Sequence, residues 1–358
     1  MLISVITPSY KQIDWLRLCV ASVRDQAAAC GGVLNDGLSM LDCNSESPIQ
    51  NPKSIIPPFA VEHIIQDAGS PGIEDFAREV GAAFYTDGVL IFSEQNQNPD
   101  TGKLKPEVAL RNAELSGNPE SRIQNQESRY RIAIYCESDS GMYDAINRGL
   151  AKSSGELCAW LNCDEQYLPG TLGKVAKIFS ESPSLDVLLG DALLLDSNLQ
   201  PVCYRRIMVP NRWHTRLDHL HSLSCAMFFR PAALPSPPLD PRWKVISDAV
   251  LMDHFLGSGK NIYACGEPLS AYAFTGKNLS SNPAHNEHAK WLAEIKWPPA
   301  AFRSLLVLHN RVRRLKYGAY GSFPVSIRLF THGSIACRTY INATVSGRWP
   351  DITSSQTG

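Results

Sequence analysis

The 358-residue chain contains no apolar run of the ~18–20 residues that a bilayer-spanning helix needs, so an integral membrane protein is not expected. It also lacks net charge. Its 34 basic and 35 acidic side chains leave −1, whereas a dedicated nucleic-acid binder carries a marked basic excess. The start, Met1-Leu2-Ile3-Ser4-Val5-Ile6-Thr7-Pro8, has neither a basic n-region nor a small-residue cleavage site, so no secretory signal is expected. None of the ten cysteines is spaced as C-x-x-C or set with histidines at zinc-finger intervals. Several lie in apolar runs, such as Cys158 in Leu157-Cys158-Ala159-Trp160, and buried, reduced thiols of a cytosolic protein are the expectation. What is present is ample apolar material: 44% hydrophobic against 19% charged residues, enough for a packed core in two domains or in one α/β domain with insertions.

Short apolar strands alternate with helical patterns. Leu2 to Ile6 ends at Thr7-Pro8-Ser9-Tyr10, and Ile13, Leu16, Leu18, Val20 and Val23 follow at roughly helical spacing. Val61 to Ile65 runs into the turn cluster Asp67-Ala68-Gly69-Ser70-Pro71-Gly72, and Arg131 to Cys136 into Glu137-Ser138-Asp139-Ser140-Gly141. A helix over 144–152, a strand from Leu157 to Leu161, the group Asn162-Cys163-Asp164-Glu165 and a strand from Val187 to Leu189 complete the pattern. It predicts an α/β fold with a mostly parallel sheet covered by helices. Asp67, Asp139 and Asp164 recur just beyond strand carboxyl ends, where ligands bind in open α/β sheets. Residues 29–60 and about 93–128 lack periodicity and read as loop insertions. Charge is unevenly spread: residues 290–338 carry nine basic side chains and Glu294 alone as acid, a local +8 that leaves −9 for the rest.

Together these blocks make the chain resemble the family 2 glycosyltransferases of the GT-A fold, above all bacterial enzymes of surface-polysaccharide synthesis. The resemblance rests on Ile3–Tyr10, on Ile64-Ile65-Gln66-Asp67-Ala68-Gly69-Ser70, and on the run from Glu137 through Ser140-Gly141-Met142-Tyr143-Asp144-Ala145-Ile146-Asn147 to Asp164-Glu165. Leu189-Gly190-Asp191, Ala226–Arg230 and Val245-Ile246-Ser247-Asp248 extend it. It implies a GT-A domain over 1–282 with a basic helical extension over 283–358. It further implies that Thr7, Pro8, Ser9, Tyr10 and Asp67 hold the base and ribose of a nucleotide-sugar donor, with Asp139, Asp144, Asn147 and Asn162 lining the donor pocket. Asp164 would be the ligand of Mg²⁺ or Mn²⁺ in the position of the family's D-x-D motif, and Asp248 the catalytic base. A hard cation on carboxylate oxygen neutralises charge growing on a diphosphate leaving group, and a carboxylate base takes the proton of an otherwise poor hydroxyl nucleophile. Direct displacement inverts the anomeric centre.

Two departures stand out: Asn162 replaces the first acid of D-x-D, and Ser247 the acid that often precedes the base. Each proposed acid also has a plain structural reading. Asp164 precedes a helix near Pro169, Ser247-Asp248 is an ordinary helix start with Asp253 further along as a weaker base candidate, and Asp67 suits a turn. Arg212-Trp213 is similar to the Arg-Trp of processive polysaccharide synthases, but Val209 stands where their Gln would be, so a processive enzyme is rejected. His214, His219 and His221, with Asp218 among them, form a cluster without assigned chemistry. The basic tail, with Trp291, Trp297, Phe302, Leu305 and Leu308, reads either as helices packed on the catalytic domain or as peripheral contact with an anionic membrane through 290–338. The expected partners are a nucleotide-sugar and a glycan or polyprenyl-linked acceptor, with no nucleic acid, and the expected place is the cytoplasm or the inner face of the membrane. Two other functions stay open: a non-catalytic scaffold in glycan assembly, and a sugar-phosphate nucleotidyltransferase, although Thr7–Lys11 lacks the glycine of a phosphate loop.

Overall fold

The computed structural model describes residues 1–28, 56–93, 129–218, 222–276, 278, 285–295 and 300–350. In chain order the elements are β1 (Leu2–Ser9), α1 (Ile13–Ala28), β2 (Ala60–Asp67), α2 (Ile73–Glu79), β3 (Ala83–Thr86), β4 (Val89–Phe92), β5 (Tyr130–Cys136), α3 (Met142–Lys152), β6 (Leu157–Trp160) and β7 (Glu165–Tyr167). There follow α4 (Thr171–Glu181), β8 (Val187–Leu195), β9 (Pro201–Arg205), α5 (Arg212–Asp218), β10 (Met227–Phe229), α6 (Ser247–Gly257), β11 (Ile262–Ala273), α7 (His285–Glu294), α8 (Ala300–Lys316), β12 (Ser322–Thr331) and β13 (Ser334–Ser346).

The strands form one sheet in the order β12-β13-β9-β8-β10-β6-β1-β2-β5-β3-β4, with β11 beside β8 and β7 on β11. From β6 through β1, β2 and β5 to β3 all pairs are parallel. Parallel strands are covered on both faces, which is why β1 and β2 are buried along almost their whole length, with polar residues such as Ser4, Glu62 and His63 buried among the apolar ones. The expected α/β class and flanking helices are therefore present. Antiparallel β10 inserts between β6 and β8 and separates this half from a mixed half. Helix α3 lies close on β1 because position 149 is glycine: a Cβ there would stand 2.4 Å from Cγ2 of Ile6. Beneath the sheet end, His63 is buried between Thr7 Oγ1, 2.9 Å from its Nε2, and the Tyr130 hydroxyl, 3.1 Å from its Nδ1.

The C-terminal region differs from the expected helical extension. It is helical in α7 and α8, but beyond Lys316 the chain turns into the antiparallel hairpin β12–β13, which joins the sheet at Ser346 opposite Cys203. The reason is periodicity: Phe323, Val325, Ile327 and Leu329 alternate with exposed or half-buried residues and pack against Leu18 and Trp15 of α1. Arg338 fastens the hairpin to α1 through Asp25, at 2.8 Å. The two expected insertions fall largely outside the described residues. Residues 56–59 are described, and Ile56 and Phe59 belong to the core. Among the described residues no helix is long and apolar enough to cross a membrane.

Candidate active site

Strand β1 ends at Pro8-Ser9-Tyr10, β5 leads to Ser138-Asp139, and β6 leads to Asn162-Cys163-Asp164-Glu165; all of these, with Asp248 at the start of α6, line one cleft of about 1540 Å³. Parallel strands deliver their carboxyl ends to the same edge, so residues remote in sequence meet there. The cleft is short of hydrogen-bond partners. Among the described residues nine buried side-chain polar atoms have none, and five of these belong to cleft residues: Ser9 Oγ, Gln12 Oε1, Asn162 Oδ1, Ser222 Oγ and Arg314 Nη2. Buried polar groups are paired as a rule, so this concentration sets the cleft apart from the rest of the described interior.

The acids are held in defined orientations. Glu165 accepts from the Asn162 backbone N–H at 2.6 Å and from Asn162 Nδ2 at 3.1 Å, which turns Asn162 Oδ1 away from that carboxylate. Asp164 Oδ2 accepts from Asn278 Nδ2 at 2.7 Å. Burial raises the proton affinity of Asp164, and burial together with the Asp164 charge raises that of Glu165. Asp248 Oδ1 lies 3.1 Å from the Tyr143 hydroxyl and accepts from the Ala249 N–H at 2.8 Å. Burial pushes the Tyr143 phenol well above its ordinary value, so it stays a neutral donor, with the Val245 carbonyl at 3.0 Å and the Asp248 carboxylate at 3.1 Å both in reach of its proton.

Four other residues named by the resemblance do not line the cleft. Thr7 faces inward to His63. Asp67 is fully buried and accepts from the Gly69 and Ser70 N–H groups and the Ser70 hydroxyl, closing the turn after β2. Asp144 accepts from the Ser140 N–H at 2.9 Å and from Arg148, fixing the start of α3, while Asn147 clasps both backbone groups of Leu239. The strand-end acid Asp139 does line the cleft; burial raises its proton affinity and the Gly141 N–H opposes this. Asp253, the weaker base candidate, is gripped by Arg212 and Arg216 at 2.6–3.1 Å and lies outside the cleft. Burial pushes its carboxyl up, but the two guanidinium groups outweigh this and hold it below the ordinary range. His214 packs its Nε2 3.0 Å from His309 Nδ1, whereas His219 and His221 lie outside the described residues.

Sequence reasoning did not place the other wall. Arg303, Arg311 and Arg314 of α8, Arg205 at the end of β9, and Arg348 with Trp349 after β13 line the same cleft as the acids. The positive tail was legible as charge; its position facing the strand-end acids was not.

Among the described residues no three His, Cys, Asp or Glu side chains converge as a metal cage. Asn162 Oδ1, buried and unpartnered, and the neighbouring Asp164 carboxylate form an oxygen donor set instead. This set fits a hard divalent cation that takes its remaining ligands from water and phosphate, as magnesium commonly does.

Residues 121–229 match the family described as Glycosyl transferase family 2. That segment contains α3, β6 and the Asn162–Glu165 group, and the resemblance seen in the sequence is borne out over it. In particular, the chain is similar to the PGL/p-HBAD biosynthesis glycosyltransferase of Mycobacterium bovis, at 32% identity over 71 residues, covering 20% of this chain and 28% of that protein. The like-named protein of Mycobacterium tuberculosis gives the same figures, so the chain spans just over a quarter of the length of these relatives. Among solved structures, S. aureus TarS 1–349 in complex with UDP-GlcNAc aligns with a TM-score of 0.46 at 14% identity, over 79% of this chain and 61% of that one. The mannosyltransferase PcManGT from Pyrobaculum calidifontis, in complex with GDP-Man and Mn²⁺, aligns with a TM-score of 0.43 at 10% identity, over 86% and 68%.

Proposed function

We propose that the protein is an inverting glycosyltransferase that moves a sugar from a nucleotide-diphospho-sugar, with UDP as the nucleotide, to a hydroxyl of a glycan or lipid-linked acceptor in surface-polysaccharide synthesis. The observation that carries the reading is the gathering of Ser9, Asn162, Asp164 and Asp248, from separate elements, around one cleft whose buried polar atoms lack partners. Pro8, Ser9 and Tyr10 bind the nucleoside end, with Asp67 holding the adjoining turn rather than touching the ligand. Asn162 and Asp164 would hold Mg²⁺ or Mn²⁺, which when bound offsets the charge that gathers on the diphosphate. Asp248, oriented by Tyr143, accepts the acceptor hydroxyl's proton as its oxygen forms the new bond to the anomeric carbon. The bond from that carbon to the diphosphate breaks on the opposite face, and the nucleoside diphosphate leaves with the electron pair.

The exposed apolar face of α8, with Phe302, Leu305, Leu308, Val312 and Leu315, supports peripheral contact with an anionic membrane beside a basic surface. For the central reading the test is calorimetry of the full chain with UDP, GDP and CMP, each with and without Mn²⁺. We expect saturable, Mn²⁺-dependent binding of UDP, lost in Asp164→Ala. Equal silence of all three nucleotides in the wild-type protein would overturn the donor reading.

A further inference from the structure

We propose that the arginine wall of the cleft is a phosphate-binding subsite for the acceptor, so that the acceptor hydroxyl is presented on a phosphate-bearing molecule. This rests on the glycosyltransferase reading above and adds the chemical class of its second substrate.

The central group is Arg314. It is 4% exposed, its Nη2 has no hydrogen-bond partner, and its guanidinium lies 5.3 Å from the centre of the Tyr320 ring. It forms no ion pair with any described residue, and neither do Arg303, Arg311 or Arg348, which line the same wall. Three other shielded arginines have acidic partners: Arg338 bonds Asp25, Arg216 bonds Asp253, and Arg131 bonds Glu62. An unmatched buried charge is costly, and its retention in a cleft lined by further arginines without ion pairs points to an anion that arrives from outside. Arg311 and Arg314 stand one turn apart on α8, and paired guanidinium forks of this kind suit the oxygens of a phosphate better than a single carboxylate.

Placement separates this subsite from that of the donor. The β1 turn, Asn162 and Asp164 sit at the strand ends of the parallel half, whereas the arginines come from α8 and from the segment following β13. The cleft volume of about 1540 Å³ also exceeds the roughly 300–1,000 Å³ of ordinary small-molecule pockets, which leaves room for two substrates side by side. Trp349, half exposed on the same wall, offers a flat apolar face for a sugar ring next to the phosphate.

The experiment is calorimetry on the full chain, saturated with UDP and Mn²⁺, using glycerol 3-phosphate as probe and glycerol as control. The phosphate ester should bind saturably and glycerol should not. Arg314→Gln and, independently, the exposed-site variant Arg311→Gln should each weaken the ester about tenfold or more, leaving the UDP dissociation constant within about twofold of the wild-type value. Because Arg311 is on the surface, its variant tests the subsite even if Arg314→Gln misfolds. If both variants weaken UDP as strongly as the ester, the arginines serve the donor diphosphate and the proposal is overturned while the donor reading stands. UDP binding with no binding of the ester overturns the subsite alone. Binding of the ester with no nucleotide binding removes the donor reading, and the assignment to an acceptor falls with it.

Discussion

The acidic wall of the cleft and the arginine wall are built in different ways. Asp139, Asp164 and Glu165 stand where strands β5 and β6 of the parallel half run out, and Asp248 stands at the start of α6; each is oriented by hydrogen bonds from nearby backbone or from Asn162, Asn278 or Tyr143. The arginines stand on α8 and on the chain after β13, held against the domain by a hairpin with one bridge to β9 and by Arg338 on α1. One wall thus follows from strand geometry, where carboxyl ends converge whatever the loops contain. The other exists because a C-terminal segment folds back across more than a hundred residues of sequence. On the proposed reading, the chemistry of bond transfer is placed on the parallel half and the recognition of the acceptor on the C-terminal segment, a division that loops and extensions serve well in α/β enzymes.

The strongest way to break this division is to remove the proposed base, Asp248, from the acidic wall. Asp248→Asn keeps the shape and the Tyr143 contact but cannot take a proton. Transfer should fall by about two to four orders of magnitude, with UDP affinity unchanged in calorimetry. A variant turning over at the wild-type rate would move the base elsewhere.

A second test reaches the root of the acidic wall. Burial, with the Arg24 charge, lowers His63 from its ordinary value to about 3. The unfolded chain therefore takes up a proton below about pH 6.5 while the folded protein does not. Stability is fully present above that pH and is lost as pH falls towards 3, by about 2 kcal/mol at pH 5 from this residue. Urea unfolding of the wild type and His63→Gln across pH 5–7 checks it: the variant should lose this part of the slope, and identical slopes would contradict it.

The smallest effect concerns the outer side of the arginine wall. Leu305→Glu and Leu308→Glu place charge on the exposed apolar face of α8, away from the core. Each should reduce sedimentation with anionic phospholipid vesicles several-fold, at unchanged thermal stability. Equal sedimentation of wild type and variants would show that this face does not meet lipid. Truncation from Lys290 is a poorer test, because it also strips Phe323, Ile327 and Leu329 from the core.

Much of the parallel half was legible because its strands are largely buried: β1, β6 and the start of β8 are mainly apolar, and β2 and β5 keep apolar residues around Glu62, His63 and Arg131, each ended by turn residues. Other strands were hidden for identifiable reasons. β11 contains Gly266 and Pro268, which read as turn signals, and in the fold they fall at an irregular stretch in its pairing with β8. In β4, Val89-Leu90-Ile91-Phe92 follows the turn signal Asp87-Gly88 and was available to a reader, although the first three are exposed at the edge of the sheet. The alternation of Phe323, Val325, Ile327 and Leu329 was available to a reader, but the preceding basic helices dominated the tail.

By itself the sequence determined the α/β class, the family resemblance, and the strand-end positions of Asp139, Asp164 and the Pro8–Tyr10 turn, because apolar period and turn chemistry are local properties. Only the tertiary structure decided that Asp67 and Asp144 are occupied in holding turns, that Asn162 leaves an oxygen unpaired, and that arginines from residues 303–348 face the acids. Those facts depend on which groups find partners across the fold, and pairing over such distances is settled by packing and burial rather than by neighbours in the chain.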